Sequence, residues 1–150
     1  MNDLGPTQQA IYRIISEYSK SPIDSEHLHI NSEDGKSLLR FEYEPSLETE
    51  FYVFAEFFEH HYVLHFEGWH DEFPVCDTPS ETAQMVLAQL ESVFEGKVRL
   101  RITSAGKSPY KWQLVFDEGL DWCVMHITGL LFYNYFARRK WTEKANRVIG

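Results

Sequence analysis

The 150-residue chain has only two cysteines, Cys76 and Cys123, too few for a disulfide framework. Both thiols are expected to be free in a reducing cytoplasm. No apolar run approaches the roughly 20 residues that span a bilayer, which excludes a transmembrane helix. The first residues, Met1-Asn2-Asp3-Leu4-Gly5-Pro6, lack both a basic and an apolar stretch, so no secretory signal is visible and a cytoplasmic location is expected. There is no Gly-x-Ser-x-Gly elbow and no glycine-rich phosphate loop, which removes two common signatures of catalysis. Repeats, linkers and low-complexity segments are also missing, and the length fits one domain, residues 1–150. No cofactor is called for, and the balance leans away from an enzyme.

Basic residues are scarce where acidic ones are dense. The chain carries 14 Lys and Arg against 23 Asp and Glu, a net charge of −9. Residues 1–95 hold 4 basic and 19 acidic side chains, whereas residues 96–150 hold 10 basic and 4 acidic. The stretch from Glu42 to Asp77 has no Lys or Arg at all. It contains Glu42, Glu44, Glu48, Glu50, Glu56, Glu59, Glu67, Asp71, Glu72 and Asp77, interleaved with Tyr43, Phe51, Tyr52, Phe57, Phe58, Tyr62 and Trp69. With hydrophobic residues at 43% and aromatics at 15%, the chain has the means to bury a core.

Periodicity predicts an amphipathic helix over 6–19, on Ile11, Ile14, Ile15 and Tyr18. Strands follow at 27–31 and 37–44, joined through Asp34-Gly35, a pair that tolerates positive φ. Residues 50–58 and 61–67 read as two aromatic-rich strands connected by Glu59-His60, with one helix over 47–66 as the competing reading. Residues after 67 read as a loop. Thr78-Pro79-Ser80-Glu81 predicts a capping box opening a helix over 79–95, ended at Gly96. Strands are predicted at 97–103, 110–116 and 122–128, and a short basic helix over 141–149. The expected architecture is an α+β domain, mainly antiparallel sheet in the order α-ββββ-α-βββ-α, with helices on one face.

His60, His61, His65, His70, Asp71, Glu72, Cys76 and Asp77 are metal-ligating types crowded into one region. On one strand His61 and His65 stand roughly 13 Å apart, too far for one ion. On a helix they would align, but without the His-Glu-x-x-His order. His61, His65, His70, Asp71 and Cys76 are the metal candidates, and a small metal-dependent enzyme or metal-binding domain is the alternative reading. The capped helix favours a thiolate at Cys76, but the neighbouring carboxylates oppose it. Arg138-Arg139-Lys140, Lys144, Arg147 and the adjacent Phe136 and Trp141 have the composition of a phosphate-contacting tail. The chain's overall negative charge opposes a polyanion, so no nucleic-acid partner is expected.

The succession His61-Tyr-Val-Leu-His65-Phe-Glu-Gly-Trp-His70, a capped helix, then Val98-Arg-Leu-Arg-Ile-Thr103 and Tyr110-Lys-Trp-Gln-Leu-Val-Phe116, resembles small acidic single-domain bacterial proteins of the toxin-immunity and uncharacterised cytoplasmic type. That resemblance implies a protein that binds and blocks a toxin domain, often a basic nuclease, without doing chemistry. The acidic, aromatic-interleaved span points the same way. The expectation is a non-enzymatic domain that docks a basic protein partner through Glu42, Glu44, Glu48, Glu50, Glu56, Glu59, Glu67, Asp71 and Glu72, of which a subset shares one face. A homo-oligomer using its own aromatics as the interface is a further possibility.

Overall fold

Ile11 and Ile15 stand one turn apart and lie along a single helix edge. In the computed structural model, which describes residues 3–120, 122, 128–129 and 139–149, helix α1 runs over Pro6–Tyr18 and buries both completely. Strands β1 (Leu28–Glu33) and β2 (Lys36–Tyr43) form a hairpin whose turn residues, Asp34 and Gly35, have φ of 51° and 76°. Strands β3 (Val53–Phe57), β4 (His61–Phe66) and β5 (Trp69–Pro74) continue the meander, so the first sheet is antiparallel in the order β1-β2-β3-β4-β5.

Helix α2 (Pro79–Phe94) leads into β6 (Glu95–Ala105) and β7 (Ser108–Phe116). The pair β8 (Thr128–Gly129) and the strand β9 (Arg139–Arg147) complete a second antiparallel sheet, ordered β8-β7-β6-β9. The class is α+β.

Alternation along the central strands decides which face is covered. Val53, Ala55 and Phe57 on β3, Tyr62, Leu64 and Phe66 on β4, and Trp69 and Phe73 on β5 all point inward and are buried. Burying a side chain such as Phe57 or Phe66 stabilises the fold by about 2–3 kcal/mol. Both helices pack on this face. From α1, the Gln8 amide donates to the carbonyls of Phe57 (2.8 Å) and Ser37 (3.0 Å). From α2, Phe94 meets the Phe41 ring edge-on at 6.0 Å and Gln89 accepts from the Tyr62 hydroxyl at 2.7 Å.

The stretch 47–66 holds the two strands Val53–Phe57 and His61–Phe66 and no helix, as its β-branched and aromatic density favours. Two elements depart from the expected order. The segment after Glu67 is a fifth strand rather than a loop. Glu67, at φ 54°, and Gly68 turn the chain so that Trp69 pairs with Phe66. Asp71 interrupts the apolar side of the pattern, leaving too little alternation to mark a strand in the sequence.

The basic segment 141–149 is not a helix: residues 139–147 are β9, hydrogen-bonded along the open edge of β6. An unpaired strand edge outweighs the weak helical bias of Lys, Glu and Ala. The predicted strand over 122–128 lies outside the described residues except at its ends, and Thr128-Gly129 does pair with Lys111-Trp112. Cys123 and Arg138 also lie outside them.

The two sheets are joined through β9. Asn146 is completely buried, accepts from the Phe51 N–H at 2.8 Å and donates to the Phe51 carbonyl at 3.0 Å. One residue earlier, the Ala145 N–H donates to the Thr49 carbonyl at 3.0 Å. Lys144 lies 3.5 Å from Glu67, so one basic side chain of this segment faces the chain's own acidic half. No helix among the described residues is long and apolar enough to cross a membrane.

Candidate functional site

The outer face of the first sheet follows from the same alternation, since whatever is not turned to the helices faces out. The strand register arranges it in rows. Arg40, Glu56, Val63 and Glu72 stand opposite one another across β2 to β5, and Glu42, Phe54, His65 and His70 form the next row. Phe58 and His61 stand together at the β3–β4 connection, where the Phe58 N–H donates to the His61 carbonyl at 3.0 Å.

Ring contacts knit this surface together. Phe58 and His61 stack at 4.5 Å with 13° between the planes. Phe54 lies 5.3 Å from His65, which stacks on His70 at 5.8 Å. The Arg40 guanidinium sits 5.7 Å above Phe54. Glu56 contacts His65 at 3.2 Å and Glu72 contacts His61 at 3.7 Å. Beside Phe58 a depression of about 320 Å³ opens between Asn31, Leu38 and Arg40. Phe54 and Phe58 remain half-buried although helices cover the other side.

The nine expected partner-contacting carboxylates are divided by this geometry. Glu42, Glu56 and Glu72 belong to the outer rows. Glu44 and Glu48 are exposed beyond the end of β2. The others are engaged in the fold. Glu50 accepts from the Tyr43 hydroxyl at 2.7 Å, and Tyr43 packs inward against Phe94 at 5.0 Å. Glu59 accepts from the Thr7 N–H at 2.9 Å, placing a carboxylate at the positive end of α1. Its approach requires Gly5, because a Cβ there would lie 2.0 Å from Glu59 Oε2. Glu67 accepts from the Tyr52 N–H at 3.3 Å and faces Lys144. Asp71 points to the inner face, opposite Leu64.

The metal candidates divide too. His61, His65 and His70 are on the outer face, while strand alternation turns Asp71 away from them. Cys76 lies beyond β5, where its N–H donates to the Thr82 hydroxyl at 2.9 Å, near the start of α2. Among the described residues, no three His, Cys, Asp or Glu side chains converge into a group suited to a metal ion. Histidines 65 and 70 do meet across the strands, a proximity that reading β5 as a loop concealed.

A second concavity of about 550 Å³ opens on the inner side, between β5 and α2. Phe73, Val75, Met85 and Trp122 supply apolar walls, with Tyr62, Gln89, Asp71 and Cys76 as the polar groups. Burial raises the Tyr62 phenol far above its usual range, with the nearby Cys76 adding to the effect. Sequence reading did not assemble this cleft, since its walls come from residues up to 60 positions apart, Tyr62 to Trp122.

In the second sheet, Arg99 and Arg101 are each drawn to Glu143, at 3.3 and 3.6 Å, and Arg99 also pairs with Asp117 at 3.0 Å. Trp141, 58% exposed, stacks against the Arg101 guanidinium at 4.4 Å. Much of the positive charge of this region is thus compensated within the chain. Compared with known proteins, the chain matches no family model, no curated protein and no solved structure.

Proposed function

We propose that the protein is a non-enzymatic binding domain that docks a basic protein partner, in the manner of an immunity-type inhibitor, on the outer face of its first sheet. One observation carries this reading. The face turned away from α1 and α2 presents the half-buried rings of Phe54 and Phe58 among Glu42, Glu56 and Glu72, and Arg40 is the one Lys or Arg in those rows. Aromatic anchors ringed by charge are how compact interfaces gain both affinity and specificity. The depression beside Phe58 offers a socket for a partner's side chain, and the carboxylates steer a basic surface toward it. Binding by occupation requires no catalytic group.

The test is affinity capture from the source lysate at low and high salt, comparing the wild type with the triple variant Glu42→Lys, Glu56→Lys, Glu72→Lys. A basic protein should be retained by the wild type at low salt and lost from the variant, whose thermal unfolding should stay close to that of the wild type. Equal retention by both proteins, or retention indifferent to salt, overturns the reading.

A further inference from the structure

We infer that the cleft between β5 and α2 is a binding site for a small organic cation, an ammonium group carried on a flat apolar body. The site is on the opposite side of the sheet from the proposed docking face and does not depend on it. Its volume of about 550 Å³ falls within the range of small-molecule pockets, and its walls are chiefly apolar.

Charge selects the ligand. Asp71 is the inward-facing carboxylate of β5, set between buried Trp69 and buried Phe73. Its Oδ1 accepts the Glu72 N–H at 2.9 Å. Among the described residues it has no Lys, Arg or His in ion-pair contact, and none of these lines the cleft. A carboxylate beside apolar walls and without a cation in contact gains from one brought to it. An anionic ligand would meet repulsion.

Shape and aromatic content select the rest. Trp122, Phe73 and Tyr62 bring aromatic carbon to the lining, an apolar wall against which a flat body packs. Gln89, 3% exposed, is fixed by the Tyr62 hydroxyl, which donates to its carbonyl oxygen and so orients the amide in the cleft lining. Met85, 47% exposed, is an adaptable wall at the solvent side.

The experiment uses three probes with one naphthalene body: 1-naphthylmethylamine as its ammonium ion, 1-naphthalenemethanol and 1-naphthoate. Each is titrated by calorimetry and by tryptophan fluorescence at neutral pH. The ammonium should bind saturably at one site per chain, about fivefold tighter than the alcohol, with the carboxylate weakest. Asp71→Asn, nearly isosteric, should bring ammonium and alcohol to equal affinity. Val75→Trp should fill the cleft and abolish binding of both, with circular dichroism reporting that each variant is folded. Absence of saturable binding by the ammonium in the wild type overturns the inference. So does a carboxylate that binds as well as the ammonium, or an unchanged cation preference in folded Asp71→Asn. None of these outcomes bears on capture of a protein by the outer face.

Discussion

At the residue scale, a few polar side chains bear more of the fold than composition suggests. Asn146 satisfies both backbone groups of Phe51 across 95 positions of sequence. Asn146→Ala leaves a buried N–H and a buried carbonyl unpaired, and should cost about 2–4 kcal/mol in urea denaturation. Asn146→Asp keeps the acceptor but loses the donor, and should also be destabilised.

Two tyrosines give a second residue-level expectation. Burial, then the hydrogen bond to Glu50 and that carboxylate's charge, hold the Tyr43 phenol up at about 12, against the ordinary 10.0. Tyr52 is raised to about 12 by burial and by Glu42 in the same way. Below pH 10 both phenols are protonated, folded or unfolded, and the stability they confer is intact. Between about pH 10 and 12 the unfolded chain loses these protons first, so stability falls across that window. Urea midpoints measured in steps should decline there, and Tyr43→Phe should make the decline shallower.

At the element scale, the junctions are as informative as the helices and strands. Helix α2 begins where Thr78 accepts from the Glu81 N–H at 3.2 Å, half of the capping box that the sequence predicted. It ends at Phe94, with Glu95 as its C-cap, and Gly96, already in β6, has a φ of 76° that suits glycine and a bare backbone covered by the Arg147 side chain of β9. The β4–β5 turn makes a different demand. A Cβ on Gly68 would lie 2.5 Å from the Trp112 ring of β7, so the missing side chain is what lets the turn approach the second sheet. Gly68→Ala should therefore displace Trp112 and destabilise by about 1–3 kcal/mol, read as a lowered melting temperature and an altered tryptophan emission.

At the scale of the whole molecule, the charge asymmetry acquires a geometry. The acidic half of the chain is not one acidic surface. Glu50, Glu59 and Glu67 are taken up by Tyr43, the start of α1, and Tyr52 with Lys144. Glu42, Glu56 and Glu72 stand on the outer face, where Glu42 accepts from the Tyr52 hydroxyl and Glu56 and Glu72 contact His65 and His61, and Asp71 turns into the cleft. A steering field from these three outer groups should make partner association fall with ionic strength in the wild type. In the Glu42→Lys, Glu56→Lys, Glu72→Lys variant that dependence should flatten or reverse, as stopped-flow association rates across a salt series will show.

The sequence by itself determined the elements whose signals are local. Ile11 and Ile15 marked α1, Asp34-Gly35 marked the hairpin, alternation marked β4 and β6, and Thr78-Pro79 opened α2. These patterns depend on contacts within a few residues or on one face meeting a core, and α+β followed from their order. Tertiary structure decided what depends on a neighbour far along the chain. The edge of β6 made 139–147 a strand, since backbone pairing there exceeds the small propensity differences that favoured a helix. The turn at Glu67-Gly68 made 69–74 a strand, and that strand placed His70 against His65 while turning Asp71 to the other side. Sequence located the carboxylates and rings of the proposed docking region. Only the register of five strands, fixed by which side chains the helices bury, decided which of them face outward together.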